Sequence, residues 1–148
     1  MNVSVIIPTL DNPMDVIDVI RALNKQLLLP SEIVIADSSS NDEISKLLTT
    51  IDSDIPITYK RLGRAYKNDR LFQFFKNIPL VKKLFSNIPP GRAYPYEATN
   101  QGSRAAKHEW LAFLDATTIP NQSWIMDYSK IINTGNIEVV FGKTQYLA

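Results

Sequence analysis

Short segments that are almost wholly apolar recur along this chain, separated by segments with helical periodicity. The sequence over 3–8 reads VSVIIP, that over 33–36 reads IVIA, and that over 110–114 reads WLAFL. Runs of this kind are typical of strands that are buried on both faces of a sheet. Because strands that alternate with helices form parallel βαβ units, the sequence predicts a three-layer α/β/α sandwich with a mainly parallel sheet.

The helices are predicted from their starts and their apolar faces. Asn12 and Pro13 match an N-cap followed by proline at the first helical position. Ser40 and Glu43 have capping-box spacing at the start of a second helix. The first helix is expected to end before Pro30, with a buried face made of Val16, Ile20, Leu23 and Leu27. The remaining elements are predicted as strands over 57–59 and 139–141 and as helices over 96–107 and from 124 to about 135.

Composition excludes several classes of site. The chain has 148 residues, which predicts a single domain over 1–148. It has no cysteine and one histidine, His108, which excludes a disulfide scaffold, a thiolate nucleophile and a cysteine-based metal centre. The sequence contains neither a run of roughly 20 apolar residues nor a signal-peptide pattern. We therefore expect a cytoplasmic protein.

A basic, aromatic insert at about 62–93 interrupts the alternation of strands and helices. Nine basic residues and one acidic residue lie between Lys60 and Arg92, together with four phenylalanines. Three interpretations are open: packing of the phenylalanines into the core, peripheral contact with an anionic membrane at its inner face, and binding of nucleic acid. Nucleic acid is the least expected partner, because the sequence pI of about 7.9 is lower than that of typical nucleic-acid binders.

Polar clusters follow three of the predicted strands, at 9–12, 37–40 and 115–118. Open parallel sheets bind ligands beyond the carboxyl ends of their strands. Carboxylates such as Asp37 and Asp115 can accept a hydrogen bond from a base or ribose there, or hold a divalent cation against phosphates. Alternatively, each aspartate only caps a helix or shapes a turn. No glycine-rich phosphate motif follows the first strand, which argues against a Rossmann dinucleotide site and a P-loop.

Four segments resemble, in order and spacing, the nucleotide-binding half of family 2 glycosyltransferases, which have the GT-A fold. They read VSVIIPTLDN, EIVIADSSSND, ATNQGSRAA and EWLAFLDATTIPNQSW, and they cover most of 2–61 and 94–127. The resemblance implies transfer of a sugar from a nucleotide diphosphate donor, with inversion, to a polysaccharide, glycan or lipid-linked acceptor. It also implies a GT-A chain truncated before the acceptor-binding half.

The resemblance implies a set of site residues as well. The turn after the first strand lines the nucleoside pocket, and Asp37 contacts the base. Asp115 occupies the D-x-D position, so a divalent cation, Mg²⁺ or Mn²⁺, is expected at Asp115 and Thr117. Apart from the resemblance, Arg104 follows the N-x-G start of the predicted helix and is the candidate for a diphosphate contact, with a solvent-facing role as the alternative. The implied nucleotide-sugar contacts are Pro8, Thr9, Asp11, Asp37, Ser39, Asn100, Gly102, Arg104 and Asp115.

The sequence departs from the family pattern at several points. The D-x-D position reads Asp115-Ala116-Thr117, so a hydroxyl replaces one carboxylate, and Thr99 stands where the family has an arginine. No catalytic base is identified, because the acids after Asp115 lie in predicted core elements. The departures leave open whether the chain is part of a longer enzyme or binds a donor without transferring it.

Three hypotheses on function therefore stay open. The first is the donor-binding part of a metal-assisted glycosyltransferase, and the second is a non-catalytic nucleotide-sugar-binding module. The third is a flavodoxin-like receiver domain with Asp37 as phosphoacceptor. The first two require Asp37 and Asp115 to lie at one edge of the sheet, within reach of one UDP-sized molecule.

Overall fold

A computed structural model describes residues 1–62 and 95–142. The basic, aromatic insert therefore lies outside the described residues, apart from Leu62. Within the described ranges, no helix is long and apolar enough to cross a membrane. The strands are β1 (Val3–Thr9), β2 (Glu32–Asp37), β3 (Ile57–Arg61) and β4 (Trp110–Phe113); the helices are α1 (Pro13–Leu23), α2 (Glu43–Leu48), α3 (Pro95–Ala105) and α4 (Trp124–Ile132).

The four strands form one sheet in the order β3-β2-β1-β4, and every neighbouring pair is parallel. The predicted α/β fold with a mainly parallel sheet is confirmed. Because β2 and β4 lie on opposite sides of β1, the strand order reverses there, which makes the carboxyl end of β1 a topological switch point. Thr9 pairs with Asp37, and Asp37 pairs with Arg61, so three strands end at the same level.

The two faces of β1 pack against different helices. Val3, Val5 and Ile7 are buried in a core that also includes apolar residues of α1, α2 and α4. Ile6 points to the other face, which α3 covers. Since successive side chains of a strand alternate between the faces of a sheet, a strand covered on both faces has to be apolar throughout. This covering explains the unbroken apolar run of β1.

Helix α3 lies close to the sheet at Gly102. A Cβ atom at Gly102 would lie 2.6 Å from the Cγ2 atom of Ile6 and 3.3 Å from the Cβ atom of Ala36. Ala98, one turn earlier, is buried with Ala36 and Leu62. The prediction that small residues let this helix approach the sheet is confirmed.

Three local predictions are wrong. Helix α1 ends at Leu23, and Leu27 is 65% exposed, because its backbone N–H instead donates to the Gln122 carbonyl (2.8 Å) before α4. Helix α2 begins at Glu43 with Asp42 as its N-cap, so Ser40 is not part of a capping box. The segment 139–141 is not a strand. None of the described strands pairs with it, and an unpaired strand has no partner for its backbone groups.

Candidate functional site

The loops after β1 and β2 are joined by hydrogen bonds at the carboxyl edge of the sheet. The Asp11 backbone N–H donates to the Ser39 hydroxyl (2.8 Å). In return, the Ser40 backbone N–H and hydroxyl donate to Asp11 Oδ1 at 2.8 and 3.0 Å. Asp11 adopts a φ of +52°, a left-handed conformation that aspartate tolerates better than most residues. These bonds give the two loops one joint conformation.

Asp37 ends β2 with a fully buried side chain. The Ser39 backbone N–H donates to its Oδ1 at 2.8 Å, and the Tyr59 hydroxyl donates to its Oδ2 at 2.6 Å. A carboxylate oxygen has two acceptor sites, so each oxygen of Asp37 can accept a further hydrogen bond. These two donors make a buried carboxylate tolerable in the free protein.

Arg61 is a site residue that the sequence reasoning missed. One guanidinium nitrogen donates to Asp42 Oδ1 (2.6 Å) and lies 4.0 Å from Asp37 Oδ2, and the other donates to the Ser39 carbonyl (3.1 Å). The available signal was its place just after the predicted third strand; its position opposite Asp37 follows from the register of β2 and β3, which the sequence does not record. The charge pattern groups it instead with the basic residues between Lys60 and Arg92.

The electrostatics of this cluster keep its donors protonated. Burial and the hydrogen bond to Asp37 raise the pKa of Tyr59 above its ordinary value of 10.0. The hydrogen bond with Tyr59 raises the pKa of Arg61, and the nearby Asp37 and Asp42 carboxylates add to that effect. At neutral pH, Tyr59 therefore donates as a phenol and Arg61 remains a cation beside the buried carboxylate.

Asp115 follows β4 at the same edge. The Leu114 N–H donates to the Ile6 carbonyl (3.0 Å), which extends the pairing of β4 with β1 to the residue before Asp115. A turn follows, in which the Thr118 N–H donates to the Asp115 carbonyl (3.0 Å). The strands of Asp37 and Asp115 are separated only by β1, and a spacing of about 4.8 Å per strand separates them by about 10 Å across the sheet. The prediction that both aspartates lie at one edge is confirmed.

The predicted cation position offers few protein ligands. Asp115 and Thr117 are exposed and lie two residues apart in the turn after β4. Within residues 1–62 and 95–142, no group of three or more acids or histidines is arranged to hold a metal. Mg²⁺ commonly binds through one or two carboxylates together with substrate phosphates and water. One carboxylate and a hydroxyl therefore fit a cation that is shared with a diphosphate.

The implied contacts on α3 are not all brought to this edge. Gly102 faces the sheet and packs closely against Ile6 and Ala36. Arg104 lies two residues further on, and at 100° per residue its side chain points away from the sheet. The helix also runs toward the amino ends of the strands, since the Lys107 N–H after it donates to Glu32 at the start of β2. Asn100 is exposed near the middle of the helix.

The implied contacts on β1 do lie at the edge. Thr9 is buried, and its hydroxyl donates to Asn12 Oδ1 (2.5 Å), which also accepts the Leu10 N–H (3.1 Å). Pro8 is half-buried beside it. Pro8 and Thr9 therefore lie with Asp11, Asp37 and Asp115 around the switch point. The structure thus brings together those implied contacts that lie at the ends of strands or in the loops that follow them.

Comparison with known proteins supports the resemblance drawn from the sequence. No protein-family profile matches the chain. The chondroitin synthase of Escherichia coli is 22% identical over 145 residues, which are 97% of this chain and 17% of that protein. The hyaluronan synthase of Pasteurella multocida is 21% identical over 148 residues, which are 99% of this chain and 13% of that protein. The chain thus spans less than a fifth of the length of these relatives.

Solved structures give the same fold. The S. aureus protein TarS (1–349), in complex with UDP, matches with a TM-score of 0.59 and 16% identity, over 90% of this chain and 32% of that one. Glucosyl-3-phosphoglycerate synthase from Mycobacterium tuberculosis, in complex with Mn²⁺, UDP and glucosyl-3-phosphoglycerate, matches with a TM-score of 0.50 and 16% identity, over 84% and 37% of the two chains. The chain has the GT-A fold, and it resembles family 2 glycosyltransferases over nearly its whole length.

Proposed function

We propose that this chain is the donor-binding part of a glycosyltransferase. It takes a sugar from a nucleotide diphosphate and transfers it, with inversion, to a polysaccharide, glycan or lipid-linked acceptor. The observation that carries the proposal is the placement of Thr9, Asp37 and Asp115 at the carboxyl ends of three strands around one switch point. Similarity to the chondroitin and hyaluronan synthases supports the reaction class.

Each residue at the edge has a proposed task. Asp37 accepts an N–H of the base through a remaining acceptor site, and Pro8, Thr9 and Asp11 line the nucleoside. Asp115 and Thr117 hold a divalent cation, Mg²⁺ or Mn²⁺, against the diphosphate; when bound, this cation neutralises the departing nucleotide. The complex of glucosyl-3-phosphoglycerate synthase with Mn²⁺ and UDP supports a cation of this kind. Arg104 has no place in the proposal, because it lies away from this edge.

Isothermal titration with UDP and with GDP, each with and without Mn²⁺, tests the proposal. We expect one of the two nucleotides to bind, and to bind more tightly with Mn²⁺, because a single protein carboxylate needs the diphosphate to complete the cation's ligands. Failure of both nucleotides to bind in the presence of Mn²⁺ would contradict the proposal.

A non-catalytic nucleotide-sugar-binding module is the second candidate. The observation that favours it is the single carboxylate of the Asp115-Ala116-Thr117 turn, which leaves fewer ligands for a cation than a D-x-D motif does. Incubation of the chain with nucleotide sugars and measurement of nucleotide release test the module. Sugar turnover by this chain would reject it, whereas binding without turnover is expected both of the module and of a donor-binding part. Asp37 is a poor phosphoacceptor, because phosphoryl transfer needs a carboxylate oxygen as nucleophile and both of its oxygens already accept a hydrogen bond, from Ser39 and from Tyr59, so we do not pursue the receiver domain.

A further inference from the structure

Two buried side-chain oxygens lack a hydrogen-bond partner among residues 1–62 and 95–142: Glu32 Oε2 and Ser38 Oγ. A buried polar atom without a partner costs free energy, so each one needs an explanation. Glu32 Oε2 has a cation nearby, since the Lys107 ammonium lies 4.0 Å away. For the Ser38 hydroxyl, no such partner is found in the described part of the chain.

Ser38 lies within the candidate site. It directly follows Asp37, and its backbone N–H donates to the Thr9 carbonyl (2.9 Å). Its position is therefore held by the two strand ends that form the centre of the site. The residue is 2% exposed and its Oγ atom is buried, so solvent does not readily satisfy the hydroxyl in the free protein.

The neighbouring Ser39 is used in a different way. Its N–H donates to Asp37, its hydroxyl accepts the Asp11 N–H, and its carbonyl accepts a hydrogen bond from Arg61. All three polar groups hold the loops together. Ser39 is among the donor contacts expected from the sequence, but the serine with an unused hydroxyl is Ser38.

We propose that the Ser38 hydroxyl is a contact of the nucleoside part of the donor. This inference rests on the proposed function. The hydroxyl can both donate and accept, which suits a ribose hydroxyl or a base carbonyl. Ser38 is adjacent to Asp37, the proposed base contact, and two strands from Asp115, where the diphosphate is proposed to bind. A bound nucleoside would give the hydroxyl the partner that it lacks in the free protein.

The test compares Ser38→Ala with the matched variant Ser39→Ala. Affinities for UMP and UDP are measured by isothermal titration, and stabilities by urea unfolding. We expect Ser38→Ala to weaken UMP and UDP by the same factor, about three to ten, the value of one hydrogen bond. Its unfolding midpoint does not fall, because the free protein loses no hydrogen bond. Ser39→Ala lowers the midpoint, because the Asp11 N–H loses its acceptor.

Each other outcome overturns a defined part of the reasoning. If the unaltered chain binds neither UDP nor GDP, with or without Mn²⁺, the proposed function is wrong; if it binds GDP alone, the same comparison is made with GMP and GDP. If it binds them and Ser38→Ala binds equally well, the inference is wrong and the proposed function stands. If Ser38→Ala lowers the affinity for UDP but not for UMP, the hydroxyl contacts the diphosphate. If it lowers the unfolding midpoint and leaves both affinities unchanged, the hydroxyl has a structural role. Both results contradict the inference. Ser38→Cys, which keeps most of the volume but donates weakly, repeats the test if the alanine variant does not fold.

Discussion

Strand β2 begins and ends on a buried carboxylate, and these two residues have similar surroundings at opposite ends of the sheet. At the amino end, Glu32 Oε1 accepts from the Ser4 hydroxyl (2.7 Å) and from the Lys107 N–H (2.6 Å). At the carboxyl end, Asp37 accepts from the Ser39 N–H and from the Tyr59 hydroxyl. Each carboxylate has a cationic nitrogen 4.0 Å away, from Lys107 or Arg61.

The difference lies in what each carboxylate holds. Glu32 attaches the segment that leads into β4, where the His108 N–H also bonds to Ser4 (3.3 Å). Asp37 instead bonds to the loop after its own strand and to the neighbouring β3. Of the two, only Asp37 lies at the carboxyl ends of the strands, where open parallel sheets bind their ligands. Two buried carboxylates with similar partners therefore lie at opposite ends of the sheet, and only the one at the carboxyl end has a proposed role in binding.

Glu32→Ala is expected to have the largest effect on stability. The substitution removes the acceptor of two hydrogen bonds, those donated by the Ser4 hydroxyl and the Lys107 N–H. We expect it to lower the free energy of unfolding by about 3 kcal/mol. Urea unfolding measures the change. Glu32→Gln is the matched control, because its carbonyl oxygen can still accept both hydrogen bonds, and it should recover part of the loss.

The same variant also tests the contrast between the two ends. Nucleotide affinity per folded molecule should not change in Glu32→Ala, because Glu32 lies at the end of the sheet away from the candidate site. An affinity that falls as much as in an Asp37 variant would show that the two ends are not independent.

Asp37→Asn is expected to have the next largest effect on stability and the largest effect on binding. The amide keeps one acceptor oxygen but replaces the other with a donor that faces Tyr59 and Arg61, at a cost of about 2 kcal/mol. UDP affinity should fall at least about tenfold, because the proposed acceptor for the base is lost. Titration and urea unfolding, measured together, separate the two losses. Unchanged UDP affinity would remove Asp37 from the proposed site.

These contacts mark the limit of what the sequence could predict. Strands β1, β2 and β4 were predictable because an apolar run is a local property, and strand direction then placed Asp37 and Asp115 at one edge. The bond from Tyr59 to Asp37 depends on the register between two strands, which no local pattern records. The exposure of Leu27, and the absence of pairing between 139–141 and the described strands, likewise depend on contacts that are distant in sequence.

Tyr59→Phe is expected to have a smaller effect, and one that depends on pH. Removal of the hydroxyl costs about 1 kcal/mol at pH 8, because Asp37 loses one donor. The pKa of Tyr59 is raised in the folded state, so its contribution is complete below pH 10.0, the ordinary value, and is lost as the pH rises through the raised pKa. The difference in unfolding free energy between the two proteins should therefore shrink above pH 10. A difference that stays constant with pH would contradict this account.

Asp115→Asn is expected to have the smallest effect on stability, within about 0.5 kcal/mol, because the side chain is exposed. Its effect on binding should be specific to the cation: UDP affinity without Mn²⁺ stays unchanged, while the gain from Mn²⁺ is lost. Asp18→Asn is the matched control, since Asp18 is an exposed aspartate on α1 that bonds only to Arg21 in the described structure, and it should keep the Mn²⁺ gain. If Asp115→Asn keeps the gain as well, the cation is held elsewhere, and the carboxyl edge of β4 has no part in donor binding.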